Sequence, residues 1–398
     1  MEEGGGWLGT ATQDLGGRPL RNMRLGILTT GRQDWSILRS TCELVRSDPR
    51  FELILVAGGM HCSDRFGRTI RLVEEAGFEV AEALPWITDE SDVVAESARA
   101  MVELGKALKK TRPDCLLLVG DRYETAAAAV AATLSLVPLV HLHGGEETAA
   151  AFDNALRHAI TKLSHLHLVS HSEYARRVVA MGEDSTCVRV VGAPGLDNLF
   201  RHDLADRAEL EKTLGLALEY PVVVVTVHPT TLATDSMAEV TAVCSAMDAI
   251  PARYVITLPN ADPGHEPIRD QLRAAASKPG RVAVDALGGR RYWGLLRLAA
   301  AVLGNSSSGV IEAPAIGLPS VNVGSRQKGR LRSNTIIDVA AVGDAVVQGL
   351  RRALARGHAT PESGAVFSAD GKACQRIRDA LLAWEIPRPP AKRSPWSA

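Results

Sequence analysis

Short, continuously apolar runs alternate with longer amphipathic stretches from about residue 24 to residue 340. The runs "RLGILTT", "FELILVAGG", "DCLLLVG", "PLVHLH" and "HLHLVS" come first, and "VVVVTV", "RYVITL", "RVAV", "AAVLG" and "PSVNVG" follow. Between them lie stretches with helical spacing, such as "DVVAESARAMVELGKALKK". Strands apolar at every position and spaced by helices predict parallel sheets covered on both faces. The alternation breaks over residues 196–220, a charged, helix-prone stretch. The pattern thus predicts an α/β chain of two βαβ domains, 23–200 and 201–370, with a ligand cleft at the carboxyl ends of the strands. Residues 371–398 read as a helix and a Pro-rich tail able to cross back to the first domain.

Composition narrows the classes. The chain has 398 residues, 46% hydrophobic and 23% charged, in the range of a globular enzyme or binding protein. A formal net charge of −1 gives no electrostatic reason to expect nucleic acid or an anionic membrane as partner. The six cysteines stand singly, without a CxxC pair, as in a reducing cytoplasm. No apolar stretch reaches the ~18 residues of a membrane span. The Gly-rich start, residues 1–22, lacks the apolar core of a signal peptide and reads as a disordered tail. "EIPRPPAKRSPWSA" reads as a second one.

Chemistry concentrates where apolar runs end. "GNSSSGVIEAP" follows a buried strand and reads as strand, turn and helix. Ser306, Ser307, Ser308 and Gly309 would offer amides and hydroxyls to an anion at a helix N-terminus, with Glu312 one turn in, suited to a ribose. A Ser cap with Gly for packing accounts for the same turn. Downstream, "VGSRQKGRLR" gathers Arg326, Lys328, Arg330 and Arg332, which read as a phosphate clamp or a solvated basic loop. Arg32 ends the first strand and would enter the cleft from the other domain.

The first domain supplies acids. Asp121 stands at the carboxyl end of "CLLLVGD", where a carboxylate has no packing reason to be. "PLVHLHGGEET" ends in His143 and Glu146, and "FDNALRHAITK" puts Asp153 and Arg157 at i, i+4 on one helical face. A helix ion pair is the plain account of the last two, worth a few tenths of a kcal/mol. Asp121, Glu146 and Asp153 facing one cleft would suit acid/base chemistry with pKa values split by environment. His228 ends a buried strand before a proline, suited to substrate contact. No metal is expected, because the histidines lack HExxH or carboxylate spacing.

Together these stretches resemble the UDP-N-acetylglucosamine 2-epimerases, most closely the hydrolysing, N-acetylmannosamine-forming branch. The resemblance rests on "GDRYE", "HLHGGEET", "FDNALRHAITKLSHLH", "VGAPGLDNL", "HPTT", "LPNADPG", "GNSSSGVIEAP" and "GSRQKGR", in that order. It implies a GT-B fold of two Rossmann-like domains facing a central cleft, with the nucleotide held mainly by the second. It further implies Asp121 and Asp153 as catalytic carboxylates and His228 and Asn260 as substrate contacts. Ser306, Ser307 and Glu312 would hold diphosphate and ribose, with Arg326 and Arg32 near the phosphates. Relatives carry Glu or His at the position of His143, so the third acid/base role stays open between His143 and Glu146. The "TAAAFD" loop lacks a glycine expected near Asp153, which leaves the exact sugar open. A UDP-sugar partner, no cofactor and a homodimer or homotetramer are implied as well. A non-hydrolysing epimerase and a GT-B glycosyltransferase remain the alternatives, because all three must hold a leaving diphosphate.

Overall fold

A strand buried on both faces must be apolar throughout, and the long apolar runs do become central strands of two parallel sheets. The computed structural model describes residues 22–392, apart from 89–91, 149–150, 220, 233–234, 236 and 361–365. The expected N-terminal tail, but for Asn22, and the last six residues lie outside that range.

The first sheet holds β1 (Met23–Thr29), β2 (Phe51–Gly58), β3 (Glu82–Leu84), β4 (Cys115–Val119), β5 (Leu139–Leu142), β6 (Leu166–Val169) and β7 (Val188–Val190). Its order is β3-β2-β1-β4-β5-β6-β7. The second holds β8 (Val222–Thr226), β9 (Arg253–Thr257), β10 (Arg281–Val284), β11 (Ala301–Gly304), β12 (Ser320–Val323) and β13 (Ile336–Val339), ordered β10-β9-β8-β11-β12-β13. Every pairing is parallel. Both sheets are thus Rossmann-like, and each reverses its strand order beside its first strand, between β1 and β4 and between β8 and β11. Ligand crevices form at such switch points.

The polar turns after β1, β4, β5, β8 and β11 meet at the seam between the sheets. Helices cover the outer faces, as the helix Val93–Thr111 does with Ala100, Leu104, Ala107 and Leu108 buried. Its start is capped by Asp92, whose carboxylate accepts from the amides of Val94 and Ala95 at 2.9 and 3.2 Å. No helix among the described residues is long and apolar enough to cross a membrane.

The helix Ala373–Leu382 returns to the first sheet. Ile377 and Leu381 join the core cluster of Leu25, Leu117 and Val140. Asp197 accepts from the amides of Ala373 and Cys374 at 3.2 and 2.8 Å, capping that helix from the first half of the chain. Part of the second expected tail is also engaged: Ile386 packs on the same core beside Trp384, and Lys392 reaches Glu183 at 2.5 Å. Its apolar and basic side chains find buried partners, which a reading from Pro content alone does not register. We propose the domain division near residue 200, since β7 ends at Val190 and β8 opens at Val222.

One close approach decides where the site forms. Gly304 ends β11 with φ of +136°, and a Cβ there would lie 1.9 Å from the Thr226 carbonyl oxygen. The strands β8 and β11 can therefore leave the sheet side by side only with glycine at this point. Asn305 next to it is fully buried and bridges them. Its Oδ1 accepts from the His228 amide at 2.7 Å, and its Nδ2 donates to the His228 carbonyl at 2.8 Å and to Glu239 at 2.6 Å. Gly304→Ala is expected to destabilise the chain by roughly 2–3 kcal/mol, through backbone strain and overpacking. A thermal melt checks this; an unchanged midpoint would mean that the strands part freely.

Candidate active site

The strand ends enclose a cleft of about 1040 Å³, counted to its open mouth. That is the scale of a site for a nucleotide-sized ligand. Asp121, His143, Glu146, Asp153, His228, Asn260, Ser306, Ser307, Glu312 and Arg326 all line it. A second cavity of about 870 Å³ continues from it and shares Gln33, His228, Asn260, Ser306, Ser307 and Glu312. Its far wall is Arg32, Leu287, Gly288, Gly289, Tyr292 and Trp293. One elongated cleft results, with carboxylates at one end and an aromatic, glycine-walled chamber at the other.

At the acid end the helix Asp153–Leu163 carries both expected residues, but they do not pair with each other. Arg157, 2% exposed, turns to Asp121, to the His143 carbonyl at 3.0 Å and to the Thr148 hydroxyl at 3.1 Å. The i, i+4 ion pair gives way because a buried guanidinium needs more acceptors than one carboxylate supplies. Asp153 is left facing other acids. Burial pushes its pKa up, and the carboxylates of Asp121 and Asp262 push it further, to about 7, against the pull of Arg326 and Arg122.

His143 and Glu146 form one unit. Glu146 Oε1 accepts from His143 Nδ1 at 2.6 Å and from the Ser170 hydroxyl at 2.8 Å. Its Oε2 accepts from Arg330 at 2.7 Å. Burial alone would raise the Glu146 pKa, but Arg330, His143 and Arg157 outweigh it and hold the carboxyl well below its usual range. Glu146 therefore stays ionised at neutral pH. His143 Nε2 is buried with no hydrogen-bond partner, in a side chain that lines the cleft.

The serine turn differs from its expected form. Ser307–Gly309 is a single 3-10 turn capped by Ser306, followed by a helix of only four residues, Glu312–Ala315. Pro314 has no amide to donate, and Gly317 ends the stretch with a left-handed φ of +68°. With so short a helix, its dipole contributes little, and an anion here depends on the hydroxyls and cations instead. Gly309 is not brought to the cleft wall; it is buried against Ser320, whose hydroxyl donates to its carbonyl at 2.5 Å. Ser308 lines the aromatic chamber and shares a 2.6 Å hydrogen bond with the Tyr292 hydroxyl. Glu312 Oε2 is buried without a partner, and burial raises its pKa.

The basic loop divides. Arg326 and Arg330 reach the cleft. Lys328 is exposed, and Arg332 is drawn to Asp338 at 3.2 Å and to the Gln327 carbonyl at 2.7 Å. Arg32 bonds the Leu258 carbonyl across the seam; burial lowers its pKa to about 10, leaving it charged. His228 is pushed down to about 3, first by burial and then by Arg326, so its ring is neutral.

The histidines considered for metal have other work. His141 is held by Thr161 at 3.1 Å and the Gly120 carbonyl at 2.8 Å, while His167 meets Glu183 at 3.0 Å. Among the described residues no group of three or more His, Cys, Asp or Glu is placed to hold a metal ion.

Reading by sequence passed over Asp262, Arg122, Gln33 and Asp34, all of which line the cleft. Arg122 binds Glu124 through two bonds of 3.0 and 3.1 Å and reaches Asp262 of the other sheet at 2.5 Å. Their signal was present, since "GDRYE" and "LPNADPG" both place a charge just past a buried strand. Asp34 accepts from the Thr30 amide and hydroxyl at 2.8 and 2.6 Å, and Gln33 keeps both amide atoms buried without partners.

Comparison with known proteins agrees with this geometry. The family model for UDP-N-acetylglucosamine 2-epimerase matches residues 43–382. A protein of Campylobacter jejuni named GDP/UDP-N,N'-diacetylbacillosamine 2-epimerase (hydrolyzing) is 33% identical over 322 residues, 79% of this chain and 84% of that protein. The polysialic acid biosynthesis protein P7 of Escherichia coli is 32% identical over 329 residues, 81% of this chain and 84% of that protein. In fold, the chain is similar to the crystal structure of UDP-GlcNAc 2-epimerase from Neisseria meningitidis bound to UDP-GlcNAc. The TM-score is 0.73 at 15% identity, covering 90% of this chain and 100% of that one. With two switch-point sheets closing on one acid-lined cleft, and a family match over most of its length, this chain belongs to the UDP-N-acetylglucosamine 2-epimerase family.

Proposed function

We propose that the chain is a hydrolysing 2-epimerase. It would take UDP-N-acetylglucosamine, or a related UDP-linked 2-acetamido sugar, to the 2-epimerised free sugar and UDP. The observation that carries this reading is the divided cleft. Acid/base groups stand on the first domain, and hydroxyls, Arg326 and an aromatic chamber stand on the second. The name of the Campylobacter relative supports hydrolysis, and that of the Escherichia coli relative supports a product used in sialic-acid-type synthesis.

The steps follow from the groups. Asp153, poised near neutrality, takes the proton from carbon 2. The bond from carbon 1 to the diphosphate oxygen breaks, a carbon 1–carbon 2 double bond forms, and UDP leaves as an anion. That hydrogen is barely acidic, so the step depends on leaving-group stabilisation by Arg326, Ser306 and Ser307. Water then adds its oxygen to carbon 1 while a proton returns to carbon 2 on the opposite face. Inversion needs a second acid/base group on that face. The free Nε2 of His143 supplies it, with Glu146 fixing the ring. This assigns the third role to His143 rather than to Glu146, whose carboxyl is too acidic to exchange protons near neutral pH. Asp121, pinned by Arg157, adds to burial in raising the proton affinity of Asp153, as Asp262 also does. Proton-transfer groups of this kind contribute ~10²–10⁴-fold each.

Three expectations test the reading. Arg326→Ala should weaken UDP binding by roughly 1.5–3 kcal/mol, the worth of a charged hydrogen bond. Unchanged affinity in calorimetry would remove Arg326 from the phosphate site.

Asp153 acts as a base only when ionised, so turnover should rise as pH climbs through about 7, and Asp153→Asn should lower it at least ~10²-fold. The same shift affects stability with a definite sign. A carboxyl whose folded pKa is raised adds stability that is complete below its unfolded value of ~3.9 and is lost as pH rises through the folded one. Asp153→Asn should therefore melt higher than the parent above pH 7 and show no gain near pH 4. A gain that does not depend on pH would mean that Asp153 is not held in its protonated form.

The fate of one hydrogen separates the reactions. In heavy water the free sugar should carry deuterium at carbon 2. In oxygen-18 water its anomeric oxygen should be labelled and UDP should not. Free sugar without deuterium at carbon 2 would exclude elimination, and deuterium without free sugar would make the enzyme non-hydrolysing.

A further inference from the structure

His143 holds an unusual backbone for a residue with a side chain, φ of +68°. Such left-handed conformations persist where the surroundings impose them. Two bonds impose this one, from the Arg157 guanidinium to its carbonyl at 3.0 Å and from its Nδ1 to Glu146 at 2.6 Å. The ring is therefore only as well placed as Glu146. Half of what places Glu146 comes from the other domain. Arg330, in the loop after β12, crosses the seam to Glu146 Oε2 at 2.7 Å with its side chain 8% exposed.

The loop that carries Arg330 is itself locked to the first domain. A Cβ at Gly329, whose φ is +92°, would meet the Glu147 carboxylate at 2.5 Å, so the loop and that acid touch without room to spare. The Leu331 amide donates to the Tyr174 hydroxyl at 3.3 Å, and Arg177 reaches the Gly329 carbonyl at 3.5 Å. Four residues earlier the same loop presents Arg326 at the leaving-group end of the cleft. One short segment thus spans both ends of the chemistry.

We infer that Arg330 is a positioning residue that couples docking of the nucleotide-holding domain to the setting of the His143 ring, an inference that rests on the role proposed above for His143. When the seam is closed, Arg330 fixes Glu146, and Glu146 turns His143 Nε2 into the cleft. When it opens, Glu146 loses its strongest cation and the ring loses its fixed anchor. Proton return to carbon 2 is thereby confined to the state in which the diphosphate is gripped.

The test uses the full-length enzyme. Glu146 is faced by Arg330, His143 and Arg157, with the Ser170 hydroxyl in contact and Tyr174 and Glu312 further out. Among these, Arg330 is the cation that crosses from the second domain. Arg330→Gln should lower kcat roughly 10–100-fold, as loss of a group that holds a reacting side chain does, while calorimetric UDP affinity stays near that of the parent. The rise of turnover through about 7 belongs to Asp153, which Arg330 does not touch, so that limb should stay in place while the plateau falls. Arg330→Lys keeps the charge at Glu146 and should restore most of the lost kcat. In a double-mutant cycle, Arg330→Gln should add little to Glu146→Gln, because both act through one contact. Failure of Arg330→Lys to restore kcat, full additivity in the cycle, or a loss confined to UDP affinity would each overturn the inference. His143→Gln separates the two readings. If it is fully active, the assignment of His143 fails. If it is inactive while Arg330→Gln is unaffected, only the role of Arg330 fails.

Discussion

Removing a carboxylate from water costs several kcal/mol unless cations and donors meet it, and the architecture of the cleft answers to that cost. Glu146, Glu124 and Asp262 are all buried at the seam. Each is met by an arginine, and two of the three pairings cross between sheets, Arg330 to Glu146 and Arg122 to Asp262. The closed form is thus the one in which buried acids are paired. Arg157 performs the same service within the first domain. It holds Asp121, the His143 backbone and Thr148 from one guanidinium, so two loops are fixed by one side chain.

Asp153 is the exception, and it is exceptional because the cations nearby are engaged elsewhere. Arg157 is committed to Asp121 and Arg122 to Glu124 and Asp262. The result is a carboxyl whose proton is retained to near-neutral pH, next to two carboxylates that arginines hold. Split proton affinities of this kind let one site both take and give a proton. Here burial raises Asp153, while Arg122 outweighs burial at Asp262 and lowers it.

What was legible in the sequence follows the same logic of burial. The ten apolar runs correspond to strands of both sheets, because a strand covered on both faces admits only apolar residues. The three strands that the pattern missed, Glu82–Leu84, Val188–Val190 and Ile336–Val339, are all sheet edges of three or four residues with exposed positions. An edge is covered incompletely, so its periodicity is weak. Polar side chains past buried strands, such as Asp121 and His228, could be found because they have no packing reason to be there. Pairings could not. Asp153 and Arg157 lie at i, i+4, which suggests a bond, yet the guanidinium goes to Asp121, 36 residues away. Asp262 and Arg330 find partners 140 and 184 residues distant, separations no local pattern encodes.

The division of labour between the sheets also explains why the serine turn is small. A long helix N-terminus would bind diphosphate through a fixed dipole whether or not the other domain had arrived. In its place stand a 3-10 turn, two hydroxyls and Arg326 on a loop that docks against the first domain. On the proposed reaction one loop then serves both ends of the cleft, with Arg326 toward the leaving group and Arg330 among the acids. In the reaction proposed, elimination of UDP and return of a proton to carbon 2 would share one closed visit, since an exposed glycal would otherwise escape before water is added. Placing Arg326 and Arg330 four residues apart on one seam loop keeps both halves of that reaction at the same junction.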